Sequence, residues 1–194
     1  MSTERAKKIK IILFDVDGVL TDGTIWLLPS PDLGAGGPVI QGRNMIEAKG
    51  FHAHDGAGIS LARLGGLKSG MVTKRVSETV ALRARDLKMD YVFQGADNKA
   101  AVLDEILASN GVHEDAVAYV GDDVIDLPIM RRCGLAIAVA NARDAVKAVA
   151  HYQTPSRGGE GAGRDAIEYI LKAQGTLDRV IEAYIQARTS IFEQ

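Results

Sequence analysis

The chain is short of the features that would staple it, anchor it or bind it to a polyanion. It carries a single cysteine, Cys133, in 194 residues. One thiol excludes an internal disulfide framework and a multi-cysteine zinc site. Charge is balanced, with 23 basic against 25 acidic residues and a net of −2. That balance leaves no nucleic-acid footprint and no polybasic membrane anchor. The charged start, MSTERAKKIK, leads into an apolar run of only strand length. It has neither a signal-peptide pattern nor a spanning helix, so the expectation is a cytoplasmic chain with no membrane partner. No repeat of fixed period and no long low-complexity tract is present.

What the chain does have is apolar content, 46% of residues, enough to bury the core of one domain over 1–194. Apolar runs alternate with longer amphipathic ones. IKIILFDV (9–16) reads as a buried strand. GTIWLL (23–28) and MIEAKGFHAH (45–54) read as two arms of a hairpin flap spanning about 23–54, with PSPDLGAGGP as its tip. A helix is predicted over 55–66 with Asp55 as its cap, a strand over 67–73, a helix over 77–88 and a strand over 90–94. Helix 97–111, capped by Asp97 and closed by Gly111, precedes strand 116–123. Helix 124–132, strand 134–139 and helices 143–149, 163–174 and 177–188 complete the series, the last lying in a terminal segment of about 176–190. Strands and helices in alternation predict an α/β fold, a Rossmann-like parallel sheet with helices on both faces.

In such a sheet ligands bind beyond the carboxyl ends of the strands. Three predicted strands end in polar residues, Asp15, Thr73 and Asp122, and Lys99 starts the helix after a fourth. Asp15 and Asp17 share one side of an extended segment, and Asp122 and Asp123 add more carboxylate from another strand. So many acids in one place need a cation, and hard oxygen donors select Mg²⁺. With metal and phosphate present, Asp15 is placed to attack phosphorus and Asp17 to move the proton. Thr73 can bond a phosphoryl oxygen, and Lys99 can neutralise charge. Asp126, at a helical offset from Asp122 and Asp123, is expected behind the metal, orienting Lys99 or a metal-bound water. Taken singly, Thr73 is a strand-end residue and Lys99 a solvated helix residue; the ordered set carries the argument.

FDVDGVLTDG, MVTKR, QGADNK and YVGDDVID together resemble the haloacid dehalogenase-like phosphatases. FHAHDGAGI, LAIAVANA, RGGEGA and LKAQG extend the resemblance over about 8–175 and make it closer to the family of 3-deoxy-D-manno-octulosonate 8-phosphate (Kdo 8-phosphate) phosphatases. The resemblance implies a hairpin in place of a cap domain, Mg²⁺, a sugar phosphate substrate, and a homotetramer whose active sites lie near subunit interfaces. It makes Asp15 the nucleophile and Asp17 the acid and base. It assigns the metal to the Asp15 side chain, the Asp17 main-chain carbonyl and Asp122, with Asp123 and Asp126 behind them, and phosphate to Thr73 and Lys99. It also puts Arg75, Arg83 and the segment His52, His54, Asp55 and Gly56 against the sugar.

The chain departs from the family at His54, Ser60 and Glu160, where arginine is usual, and at Lys74, where glycine is usual. The hairpin tip at 29–44 is also longer. These changes spare phosphate chemistry and bear on the sugar, which keeps a nine-carbon keto-deoxy sugar 9-phosphate (KDN or neuraminate type) open as substrate. Two other classes share parts of the pattern. One is a receiver-type phospho-switch, the other a non-catalytic assembly domain of the same fold.

Overall fold

The computed structural model describes residues 2–29 and 45–189. The hairpin tip therefore lies outside the described residues. After a short helix α1 (Ser2–Ala6) come β1 (Ile11–Phe14) and the hairpin strands β2 (Trp26–Pro29) and β3 (Met45–Ala48). Then follow α2 (Ala53–Leu64), β4 (Lys68–Val72), α3 (Glu78–Asp86), β5 (Tyr91–Phe93) and α4 (Lys99–Asn110). The second half holds β6 (Val117–Gly121), α5 (Leu127–Met130), β7 (Leu135–Ala138), α6 (Asp144–Lys147), β8 (Tyr152–Gln153), α7 (Ala162–Ala173) and α8 (Leu177–Thr189).

Six strands form one sheet in the order β5-β4-β1-β6-β7-β8, every neighbouring pair parallel. β1 is central because it is apolar throughout: Ile11, Ile12, Leu13 and Phe14 are all buried, as a strand covered on both faces requires. Crossovers run one way from β1 to β5 and the other way from β6 to β8. Right-handed connections then send α2 and α3 to one face and α4 and α5 to the other. Accordingly α1, α2, α7 and α8 pack among themselves, and α4 packs on α5. Phe14 is level with Met71 of β4 and Val120 of β6. The residues just beyond, Asp15, Thr73 and Asp122, therefore emerge together where the strand order reverses, the usual ligand position in such sheets.

Several local readings need correction. Helix α2 starts at Ala53, two residues early, and its cap is His52, whose Nδ1 accepts the His54 amide at 3.3 Å. Asp55 is thus inside the first turn, and the second hairpin arm stops at Ala48. The cap of α4 is Asn98, not Asp97: its Oδ1 accepts the Ala100 and Ala101 amides at 3.1 and 3.3 Å. Either side chain can cap, and the backbone turn selects the second. The region 124–132 is one tight turn (Val124–Asp126) followed by a single helical turn with Pro128 near its start. β8 and α1 are too short to announce themselves by periodicity.

Candidate active site

Asp15 follows β1, and its amide bonds Val120 C=O at 3.0 Å, continuing the ladder by one residue. The chain then makes a wide turn over Val16–Leu20, closed by the Thr21 amide on Val16 C=O at 3.0 Å. Gly18 takes φ +88° in it, and a Cβ there would overlap the Asp122 carboxylate; only glycine fits. The glycine loop after β8 backs this turn. Gly159 donates to Val19 C=O at 3.0 Å and Gly158 to Asn141 Oδ1 at 2.7 Å. A Cβ on Gly158 would run into the Gly18 carbonyl.

Asp15 is 3% exposed and Lys99 2%. Asp15 Oδ1 accepts the Val16 amide at 2.6 Å, and Oδ2 pairs with Lys99 Nζ at 2.8 Å. Lys99 Nζ also reaches Asp126 Oδ1 at 2.7 Å and donates to the Tyr119 hydroxyl at 2.9 Å. That hydroxyl donates in turn to Asp126 Oδ1 at 2.8 Å. Asp126 Oδ2 accepts the amides of Asp122 at 2.9 Å and Asp123 at 3.3 Å. Asp126 thus orients Lys99 and fixes the backbone that presents Asp122. Burial pulls the Lys99 ammonium down, but the Asp15 and Asp126 charges outweigh it and hold its pKa above the ordinary lysine value.

Asp15, Asp122 and Asp126 each offer an oxygen within 4.8 Å of the others. Asp126 is saturated by its four donors, so capacity for a cation lies with Asp15 and Asp122. Asp122 Oδ1 is buried and has no hydrogen-bond partner among the described residues. Burial, then the neighbouring Asp126 charge, pushes both Asp15 and Asp122 up to about 7. An orphaned buried oxygen and two carboxyls that resist ionising are the marks of an all-oxygen divalent-cation site. The donor set fits Mg²⁺.

One cavity of about 230 Å³ opens on these groups, lined by Asp15, Asp17, Thr73, Arg75, Asp122 and Asp123 together with Lys74, Ile25 and Ile125. Thr73 is buried at the end of β4, its Oγ1 accepting the Arg75 amide at 3.3 Å. Lys99 stands behind Asp15 and is not part of the cavity wall. The other expected sugar contacts form a separate cluster about the start of α2. There His52 and His54 meet edge to face at 4.7 Å, and Arg83 lies over the Phe51 ring at 5.6 Å with its Nε buried and unpartnered among the described residues. Gly56 faces Arg83, where a Cβ would stand 2.9 Å from Nη2. Asp55 is buried and accepts the Arg164 amide at 2.9 Å, tying α2 to the first turn of α7; its burial pushes it up to about 6.

Three participants escaped the sequence. Tyr119 sits inside an apolar strand and carries no motif, though a lone tyrosine three residues before Asp122 marks a hydroxyl that must find a partner. Lys49 and Glu47 fall in the predicted hairpin arm 45–54 and belong to no motif. Lys49 is ion-paired to Asp17 Oδ1 with its side chain fully buried. Glu47 pairs with Lys49 at 3.2 Å and Arg75 at 2.7 Å.

A parallel sheet with a carboxylate, threonine, lysine and second carboxylate at its switch point defines a haloacid dehalogenase-like hydrolase. Residues 77–163 match the model of the haloacid dehalogenase-like hydrolases. Within that class the chain belongs to the family of 3-deoxy-D-manno-octulosonate 8-phosphate phosphatases. It is 36% identical over 174 residues to the phosphatase KdsC of Escherichia coli K12, covering 90% of this chain and 85% of that protein. A probable YrbI family phosphatase from Pseudomonas syringae is 40% identical with a TM-score of 0.83, covering 94% of this chain and 96% of that one. The Moraxella catarrhalis 3-deoxy-D-manno-octulosonate 8-phosphate phosphatase, solved with a magnesium ion, a phosphate ion and KDO, is 34% identical with a TM-score of 0.82 over 94% of this chain and 97% of that one.

Proposed function

We propose that the chain is a Mg²⁺-dependent phosphatase that hydrolyses Kdo 8-phosphate to Kdo and inorganic phosphate. The observation that carries the reading is Asp15, buried against Lys99 at 2.8 Å with the orphaned oxygen of Asp122 beside it, in a chain whose relatives carry that activity in their names. The Asp15 side chain, the Asp17 main-chain carbonyl and Asp122 would hold the metal, which when bound neutralises the phosphate and the acids around it.

Asp15 attacks phosphorus, and the bond from phosphorus to the sugar oxygen breaks. The electron pair leaves with that oxygen, and protonated Asp17 supplies its proton. Asp17, now a carboxylate, takes a proton from water as the water oxygen attacks the phosphoryl group. The phosphorus–Asp15 bond breaks, releasing phosphate and restoring the Asp15 carboxylate. Thr73 and Arg75 bind phosphoryl and substrate oxygens, and Lys99 holds Asp15 in place.

The assembly belongs to the same reading. The cavity is smaller than the roughly 300–1,000 Å³ usual for small-molecule sites. Beside it, Ile25, Trp26, Leu27, Leu28 and Ile46 stand exposed on the hairpin, Trp26 at 60%. A homotetramer covers this ribbon and completes the sugar pocket with neighbouring residues. A cytoplasmic location goes with the reading; no described helix is long and apolar enough to cross a membrane.

The test is Mg²⁺-dependent phosphate release from Kdo 8-phosphate, beside a nine-carbon keto-deoxy sugar 9-phosphate and hexose phosphates. Preference for Kdo 8-phosphate is expected. Preference for the nine-carbon ester would reassign the substrate while keeping the Asp15 chemistry.

A further inference from the structure

The described ion pairs include a closed ring of four charges. Asp17 Oδ1 pairs with Lys49, and Asp17 Oδ2 faces Arg75 Nε at 3.8 Å. The same two cations are gripped from the other side by one acid, Lys49 by Glu47 Oε1 at 3.2 Å and Arg75 by Glu47 Oε2 at 2.7 Å. The ring is tied to the body of the protein: Thr79 Oγ1 donates to Glu47 C=O at 2.8 Å, joining β3 to α3. Burial alone would raise the Glu47 carboxyl; the hydrogen bond from Arg75 and the nearby Ser77 hydroxyl and Lys49 charge outweigh it and hold it down to about 2. Glu47 is therefore a fixed anion, and Lys49, its side chain fully buried, has the shorter reach to Asp17.

A lysine side chain with no solvent contact is costly unless its charge is used. Lys49 lies on neither the cavity wall nor the Asp15–Lys99–Asp126 cluster. Its position is explained by what it does to Asp17. The Asp17 carboxyl lies inside the Val16–Leu20 turn, next to Gly18, and its described partners, Lys49 and Arg75, are outside that turn. The ring directs its oxygens from outside, through β3.

We propose that Lys49, anchored by Glu47, is a positioning residue for Asp17, so that the return strand of the hairpin sets the direction of proton transfer to the leaving sugar oxygen. The inference rests on the reading of Asp17 as acid and base given above. A misaimed acid slows loss of an alcohol, which must be protonated, and spares loss of a phenolate, which need not be. Lys49 touches only Asp17 and Glu47 in the ring, so binding of the sugar should not depend on it.

The experiment compares kcat/KM, which reports the steps up to departure of the leaving group, for Kdo 8-phosphate and p-nitrophenyl phosphate at saturating Mg²⁺. Lys49→Met should lower it about 10- to 100-fold on the sugar ester and less than about 3-fold on the aryl ester. Lys49→Arg should recover part of the loss, and the inhibition constant of Kdo should stay within about 2-fold. Glu47→Gln removes the second anion from both Lys49 and Arg75; a loss through Arg75 would fall on both esters, so an excess loss on the sugar ester reads the Lys49 role, and it decides the matter if Lys49→Met does not fold. An equal loss on both esters, no loss on the sugar ester, or weakened Kdo binding to match the rate would overturn the proposal. Asp17→Asn separates the two readings. If it spares sugar-ester turnover, the acid/base assignment itself fails. If it abolishes that turnover while the Lys49 and Glu47 variants are silent, only the positioning role fails.

Discussion

Gly18 and Asp122 compete for one place: the Asp122 carboxylate lies where any side chain on Gly18 would begin. Two segments far apart in the chain therefore meet without clearance at the proposed metal site. Gly18→Ala must move the acid or the turn, and its φ of +88° adds strain. The expected outcome is a loss of about 1–3 kcal/mol in stability together with weaker Mg²⁺ binding, read by thermal melts and by titration of activity with the metal.

Asp15→Asn keeps shape and removes the proposed nucleophile. Turnover of Kdo 8-phosphate should fall by at least about 10⁴-fold, and no acid-stable phosphoprotein should be trapped by rapid quenching. Full activity in this variant would falsify the covalent route.

Asp126→Asn tests the group that serves Lys99 and Asp122 at once. It keeps an oxygen for one neighbour and loses the charge that balances Lys99. The concentration of Mg²⁺ giving half-maximal rate should rise about 10- to 100-fold, with a smaller effect on KM for the sugar phosphate, measured by steady-state kinetics.

Stability should depend on pH in opposite ways without and with metal. Asp15 and Asp122 stand at about 7 in the fold against an ordinary 3.8. Between those values the folded chain binds more protons than the unfolded one. The stability these groups contribute is complete below the lower value and is lost as pH rises through the upper one. Metal-free protein should therefore lose melting temperature between about pH 5 and pH 8 relative to Asp122→Asn. Mg²⁺ binds the ionised carboxylates, so it should restore the melt at the alkaline end and do little at the acid end.

Trp26→Asp places a charge on the apolar ribbon proposed to be covered by neighbouring subunits. Sedimentation or light scattering should show smaller assemblies than for the parent chain. Sugar-ester turnover should fall more than turnover of p-nitrophenyl phosphate if the sugar pocket is completed across subunits as proposed.

The candidate site was legible because its residues are punctuation. Asp15, Thr73 and Asp122 each end an apolar run, and a parallel sheet brings such ends together whatever the loops do. Asp126 was placed by its helical offset, which the tight turn at Val124–Asp126 preserved. Lys49, Glu47 and Tyr119 were not legible. Their roles depend on partners distant in sequence, and a lysine in a hairpin arm looks the same whether it meets water or Asp17. The cap of α4 was misread by one residue because Asp97 and Asn98 have the same capping chemistry. His52, His54 and Arg83 were named by resemblance alone, and the fold gathers them at the start of α2, outside the lining of the cavity at Asp15.

The central place of β1 has a consequence for how the molecule is made. It is the first sheet strand to emerge during synthesis, yet it pairs with residue 68 onward on one side and residue 117 onward on the other. For most of translation this fully apolar strand has an open edge, a template for unwanted pairing. Its distant partners also make the fold slow to close. A nascent chain halted before β6 would carry the Asp15 side chain but neither Tyr119 nor Asp122, so it would be sticky and inert.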